Sequence, residues 1–298
     1  MSFFRNIINL RHPSPKLEAH VFMVSMLYQI PVELEALQGL RTMWLAGNKL
    51  SGSIPRHLFH LERLEEMNLS ENQLTGTLVQ DVEHAKSLKV LHLHDNQLSG
   101  SMITELGALR TLKDLDISYN QLTGNIVSEL GLLKGLISFV ASGNQFEGPL
   151  PVELYSATSL ESLEIGHNTL SGSIASAIDN LAALRFIGLE HNNLSGSIPE
   201  SMGGLADLTR VSFHSNSLTG MVPDSLGHLQ HLSSVTLDRN PQLHGSMPDK
   251  VCSLRDRSLS LLVVDCREDF STTSGVSCPI DCCTSCRDSQ GNLSSFQV

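Results

Sequence analysis

Apolar residues recur along this chain with a period of 24, anchored on nine asparagines: Asn48, Asn72, Asn96, Asn120, Asn144, Asn168, Asn192, Asn216 and Asn240. Leucine-type residues stand eight, five and three positions before most of them and two after. Ser or Thr follows, then Gly, then Ile, Leu, Met or Val at the sixth position. One turn of the pattern runs Leu184, Ile187, Leu189, Asn192, Leu194, Ser195, Gly196, Ile198 and Pro199. Between Leu88 and Leu98 the alternation predicts a short strand, with Leu88, Leu91, Leu93 and Leu98 inward and the residues between Leu91 and Asn96 alternating outward. By the same reasoning Ser118, two before Asn120, is expected to face solvent. The chain must then turn away from the sheet, leaving backbone groups without a ladder partner. A buried Asn amide, with two donors and an acceptor, can satisfy those groups in its own and the neighbouring coil. The glycines from Gly52 to Gly220, four places after each Asn, suit a turn with positive φ or close coil approach. In the ninth unit one inserted residue gives NPQLHG and moves the glycine to Gly245.

A unit this short cannot bury its apolar face alone, so the register predicts a stacked solenoid with a layered, leucine-rich interior. The return segments LSGSIP at Leu50 and Leu194, LTGMVP at Leu218 and LSGSIA at Leu170 resemble the plant-type leucine-rich repeat. That resemblance implies an α/β repeat solenoid: a leucine-rich repeat superhelix with a parallel β-sheet on the concave face, short 3-10 or irregular return segments, and a second strand on the flank. It covers residues 34–265. The proline slot holds Val79, Ile103, Val127 and Ala175 in four units, and Ala141 replaces an inward Leu where Phe139 and Phe146 can refill the volume. Residues 1–33 are expected to be an irregular segment with a degenerate first coil, since the preceding Asn slot holds Val24 and its Gly slot Tyr28. Neither a signal peptide nor an N-terminal cysteine cap is visible, which is read as an N-terminally incomplete chain or a cytosolic protein.

Residues 266–298 read as a cysteine-rich cap and tail, and a tenth strand is expected at Leu259, Leu262 and Val264. All six cysteines, Cys252, Cys266, Cys278, Cys282, Cys283 and Cys286, lie near this end. An even number at the end of a solenoid predicts disulfides that close the open core, with pairing undetermined. The rival is a metal site, but no second ligand pair at zinc spacing accompanies CPIDCCTSC. The run resembles the C-terminal caps of diatom and algal leucine-rich repeat proteins. Sequons at Asn68, Asn193 and Asn292 agree with a secretory route, although the repeat itself writes NxLS by chance.

The net charge of -11 argues against nucleic acid and against an anionic membrane surface. No GxSxG, HExxH, GxxxxGK[ST] or EF-hand loop is present, so no enzyme activity, cofactor or metal is expected. Candidate chemistry therefore falls on the outward slots of the strands, where two clusters emerge. One joins Trp44, Asn68, His92 and Asp116 in a column, with His94 and Tyr119 beside it; the other joins Glu164, His167, Phe186, Glu190, His191, Arg210 and His214. Exposed aromatics and Arg dominate interface energetics. The expected function is recognition of a protein, a peptide or a glycan, at the cell surface or after secretion. The alternative is an intracellular scaffold. The carboxylate of Glu190 should raise the titration of His191, and its histidine neighbours and Arg210 should oppose that.

Overall fold

The computed structural model describes residues 19–22, 28–265, 275–279, 282–287 and 293–295, with 19–22, 286–287 and 293–295 described by backbone alone. Residue contacts group the chain into two compact units, Met1–Phe146 and Glu147–Val298, a division the even register does not signal. In the first, parallel strands Ala19–Phe22, Leu40–Trp44, Glu66–Asn68, Val90–His92, Asp114–Asp116 and Ser138–Val140 pair in chain order. In the second, Ser162–Glu164, Phe186–Gly188, Arg210–Ser212, Ser234–Thr236, Leu261–Asp265 and Ser285–Arg287 do the same, and Leu293–Ser295 adds antiparallel. Flank strands such as Ser51–Ser53 with Gln73–Thr75, and Ser195–Ser197 with Ser217–Gly220, carry the SGS and LTG segments. The returns are five-residue 3-10 helices, for example Arg56–His60, Gln80–His84 and Glu200–Gly204, except the one after Asn240, which is an α-helix, Asp249–Cys252, followed by a 3-10 helix, Ser253–Asp256. Where Val79 and Ile103 replace proline, φ relaxes to -110° and -108° and the helix still forms.

The asparagines form the hydrogen-bond system their chemistry allows. Asn72 Nδ2 donates to Leu69 O and Ser70 O in its own coil and to Leu45 O in the coil before, while Oδ1 accepts from Leu50 N. Asn96, Asn120 and Asn144 repeat the reach-back in the first unit at 3.0 Å, to Leu69 O, Leu93 O and Ile117 O. Asn192, Asn216 and Asn240 do so in the second, to Ile165 O, Leu189 O and Phe213 O. Asn168 donates to Ile165 O and Gly166 O. Asn48 is half-buried and donates to Leu45 O and Ala46 O of its own coil. Phe139, Ala141 and Phe146 are all fully buried. Gly196 takes φ 74°, and a Cβ there would lie 3.1 Å from that of Ser173.

Two expectations need correction. The strands are only about three residues long, so the slots two and one before each Asn have already left the sheet. The residue directly before the Asn is left-handed in coil after coil: Gly47, Glu71, Asp95, Tyr119, Gly143, His167, His191, Ser215 and Arg239 all have φ between 50° and 68°. This conformation costs a non-glycine residue roughly 1–2 kcal/mol. It is offset by a backbone ladder, in which Glu71 N donates to His94 O, Asn72 N to Asp95 O and His191 N to His214 O. Ser118 is also not in solvent. It is 3% exposed, because its hydroxyl and N–H both bond Asp116 Oδ1, which folds back over the turn. We expect Ser215→Gly to raise stability by roughly 0.5–1 kcal/mol, the left-handed cost less the entropy of glycine, as read from the urea midpoint.

The end of the second unit is closed by Asp265, whose two carboxylate oxygens accept from Arg239 N and Asn240 N at 2.8 Å and so take the place of the next coil's carbonyls. The expected tenth strand is Leu261–Asp265, with Leu259, Leu262 and Val264 buried. Cap strand Gly275–Ser277 extends the flank sheet and Ser285–Arg287 the main sheet. Disulfides join Cys252 to Cys282 and Cys278 to Cys283. Cys266 and the side chain of Cys286 lie outside the described residues, as do Val24 and Asn292.

Candidate ligand-binding face

The outward strand positions place each predicted residue. In the first unit the column Trp44, Asn68, His92, Asp116 is a true register line, each residue the ladder partner of the next. Trp44 is 47% exposed and its Nε1 donates to Glu66 Oε2 at 3.1 Å; Tyr119 is 57% exposed, its ring lying where a Cβ on Gly143 would stand. Asn68 and Asp116 serve the turn first, since Oδ1 of each accepts the N–H and hydroxyl of Ser70 and Ser118 respectively. Such side chain to backbone closure is what Asn and Asp do best at a turn. His92 Nε2 lies 3.0 Å from Asp114 Oδ2, and this bond, reinforced by the charges of Asp116 and Glu66, lifts the imidazole pKa above 6.5 against the effect of burial. His94 Nδ1 lies 3.0 Å from Asp116 Oδ2 but outside hydrogen-bond geometry. Asn193 is exposed on the second unit.

In the second unit the left-handed slot stacks imidazoles on successive coils. The rings of His167 and His191 are 4.3 Å apart and nearly parallel, and that of His214 meets His191 edge-on at 5.1 Å. Phe186 and Arg210 are ladder partners, with the guanidinium 4.7 Å above the ring centroid. Gly166 and Gly188 have no side chain to fill the surface between these groups. The Glu190 carboxylate lies down into that space, over both glycines; a Cβ on Gly166 would collide with it. Glu190 Oε2 is thereby buried without a hydrogen-bond partner. Glu164 lies beside it, its Oε1 2.9 Å from Ser162 Oγ.

The electrostatics of His191 resolve as a lowered pKa. Burial is the largest cause, then the charges of His167, His214 and Arg239, with Glu190 opposing. The cation concerned is Arg239 and not Arg210 as expected, because Arg210 is committed to Phe186. His92 and His191 should therefore move in opposite directions. In an NMR titration, His92 should titrate above 6.5 and His191 below it. The sign for stability follows: the His92 contribution is present below pH 6.5 and lost as pH rises through its raised value. His191 favours the neutral ring, so stability is lost as pH falls below 6.5 through its lowered value. A single shared histidine pKa in both units would contradict the geometry.

Sequence reasoning missed a third cluster. His60, Asp81 and His84 sit on the 3-10 helices of the first unit, and their ligand atoms lie within 4.8 Å of one another. The signal was legible, since His60 and His84 hold the same slot one period apart. The histidines His167, His191 and His214 form no such convergent group, while Cys278, Cys282 and Cys283 do, two of them bonded to each other.

A family profile described as Leucine Rich Repeat matches residues 39–61, 63–85, 87–109, 183–205 and 207–229, and a second of that description matches 108–131 and 156–178; together they take in more than half of the chain. In sequence, no curated protein matches. Among solved structures, the chain is similar to a TDR receptor at 30% identity and TM-score 0.77, covering 87% of this chain and 44% of that one. It is also similar to the plant peptide hormone receptor RGFR1 in complex with RGF2, at 28% identity and TM-score 0.72, covering 87% and 45%. A plant ice-binding protein matches at 25% identity and TM-score 0.71, covering 82% and 78%. The chain thus spans less than half the length of those two receptors. Among the described residues no helix is long and apolar enough to cross a membrane.

Proposed function

The chain belongs to the leucine-rich repeat family, and from that premise we propose that it is a non-catalytic recognition module that binds a peptide across the strand face of its second unit. Neighbours of one fold carry names as different as hormone receptor and ice-binding protein, so the reading has to rest on the site. The observation that carries it is the unpartnered Glu190 carboxylate oxygen over Gly166 and Gly188. A buried acceptor without a donor costs about 1–3 kcal/mol in the free protein, and an extended peptide presents N–H donors that satisfy it. Phe186 capped by Arg210 supplies an apolar and cationic anchor alongside, of the residue types that dominate interface energetics. Arg210 covers one face of that ring, which favours a peptide over a glycan seeking an open face to stack on. The named peptide receptor among the neighbours supports the same choice.

The cysteine-rich end supports a secreted or cell-surface setting through its two described disulfides. Free thiols in native protein would instead favour the intracellular scaffold. The site is tested by screening the full chain against an immobilised peptide library and measuring hits on wild type, Phe186→Ala and Arg210→Ala. Each variant should lose at least about 10-fold in affinity. Hits that bind all three proteins equally would sink the assignment.

A further inference from the structure

On the 3-10 side of the first unit, away from the strand face, two adjacent return helices converge three groups of metal-binding character. Arg56–His60 ends in His60, and Gln80–His84 carries Asp81 and His84, three residues apart and so on one face of a 3-10 helix. His60 Nε2 lies 3.0 Å from Asp81 Oδ1, and the His60 and His84 rings stack with centroids 4.4 Å apart at 18°. His84 Nδ1 lies 3.1 Å from Asp81 O. A proton on that nitrogen, donated to the carbonyl, leaves Nε2 as the free lone pair, the arrangement by which metal-ligating histidines are commonly oriented. A depression beside the cluster is lined by Glu35, Gln38, Arg56, His57, His60 and Asp81; Arg56 opposes a cation there and Glu35 offsets it.

We propose that His60, Asp81 and His84 form a zinc-class divalent metal site, with water completing the coordination. Two imidazoles and one carboxylate are the donor set that borderline ions such as zinc accept, and three protein ligands with an open fourth position is a common catalytic-type arrangement. Two donors on a tetrahedral ion at about 2.1 Å stand about 3.4 Å apart, so the His60 to Asp81 pair needs to open only slightly, and the Nε2 proton that His60 shares with Asp81 passes to solvent or to Nδ1 as the ion binds. Both histidines are exposed, so their rings can turn toward a shared ion without moving the core. No local motif marks this set in sequence; only the 24-residue period, which puts His60 and His84 in the same slot of successive coils, brings it together. The site stands independently of the peptide reading, being in different coils and on a different side of the coil.

The test uses the full chain, freed of metal by a chelator and kept non-reducing, titrated with zinc chloride alone in a calorimeter while histidine resonances are followed by NMR. One zinc per chain should bind, with the His60 and His84 signals moving and that of His92 unmoved. His60→Gln, His84→Gln and Asp81→Asn should each weaken binding roughly 10-fold or more, with the urea midpoint within error of wild type to show that the fold is intact. The cysteines offer the rival location. Zinc binding that survives all three substitutions but is lost after thiol alkylation would place the ion in the cap and overturn the proposal, as would no saturable binding by wild type.

Discussion

Asn120→Ala should lower stability by about 3 kcal/mol or more, seen as a large fall in the denaturation midpoint. The side chain gives Nδ2 hydrogens to Leu93 O, Ile117 O and Ser118 O and accepts from Leu98 N, and all four bonds are buried. Truncation leaves the Leu98 amide and the Leu93 and Ile117 carbonyls buried without the amide that met them, each at roughly 1–3 kcal/mol. The suitable control is Gln121→Ala, exposed and one residue on, because Ser118 is buried and bonded to Asp116. Equal shifts for Asn120→Ala and Gln121→Ala would remove the ladder role from the asparagine.

Cys252→Ser should cost about 3–4 kcal/mol at the far end. The bond to Cys282 closes a 30-residue separation, and the chain-entropy cost of such a loop in the unfolded state is of that size. The effect should be local as well as large. Leu261–Asp265 pairs with Ser285–Arg287 of the cap, and Asp265 holds the two turn amides of the ninth coil. Hydrogen exchange should therefore rise at Arg239, Asn240 and the strand Leu261–Asp265 before it rises at Phe186–Gly188. If exchange after Cys252→Ser is unchanged at Arg239 and Asn240, the cap does not close the solenoid in the way described.

Much of this structure was legible in sequence because a repeat register is a long-range statement. The Asn spacing placed the strand ladder, the inward leucines, the positive-φ glycines and the column Trp44, Asn68, His92, Asp116. What it could not show was where each strand stops. The sequence reads the slots two and one before the Asn as continuing alternation. In the structure the chain turns left-handed at the second of these slots, and only two of the nine residues there are glycine, so the residue type carries no warning. That turn is what buries Ser118 and stacks His167 on His191. The pairing of Arg210 with Phe186 was open for a different reason: register makes them neighbours, but which of several cations faces His191 depends on rotamers that no spacing specifies. The His60, Asp81 and His84 cluster lies on the return helices and not on the outward strand slots, although the same period aligns those helices.

The face assigned to peptide recognition has a direct readout in hydrogen exchange of the full chain with and without a library-selected peptide. Protection is predicted at Ser162–Glu164, Phe186–Gly188 and Arg210–Ser212 and at the His167, His191 and His214 turns, with the footprint reduced in Glu190→Gln. Protection confined to flank strands such as Ser195–Ser197, or to the 3-10 helices, would contradict the account.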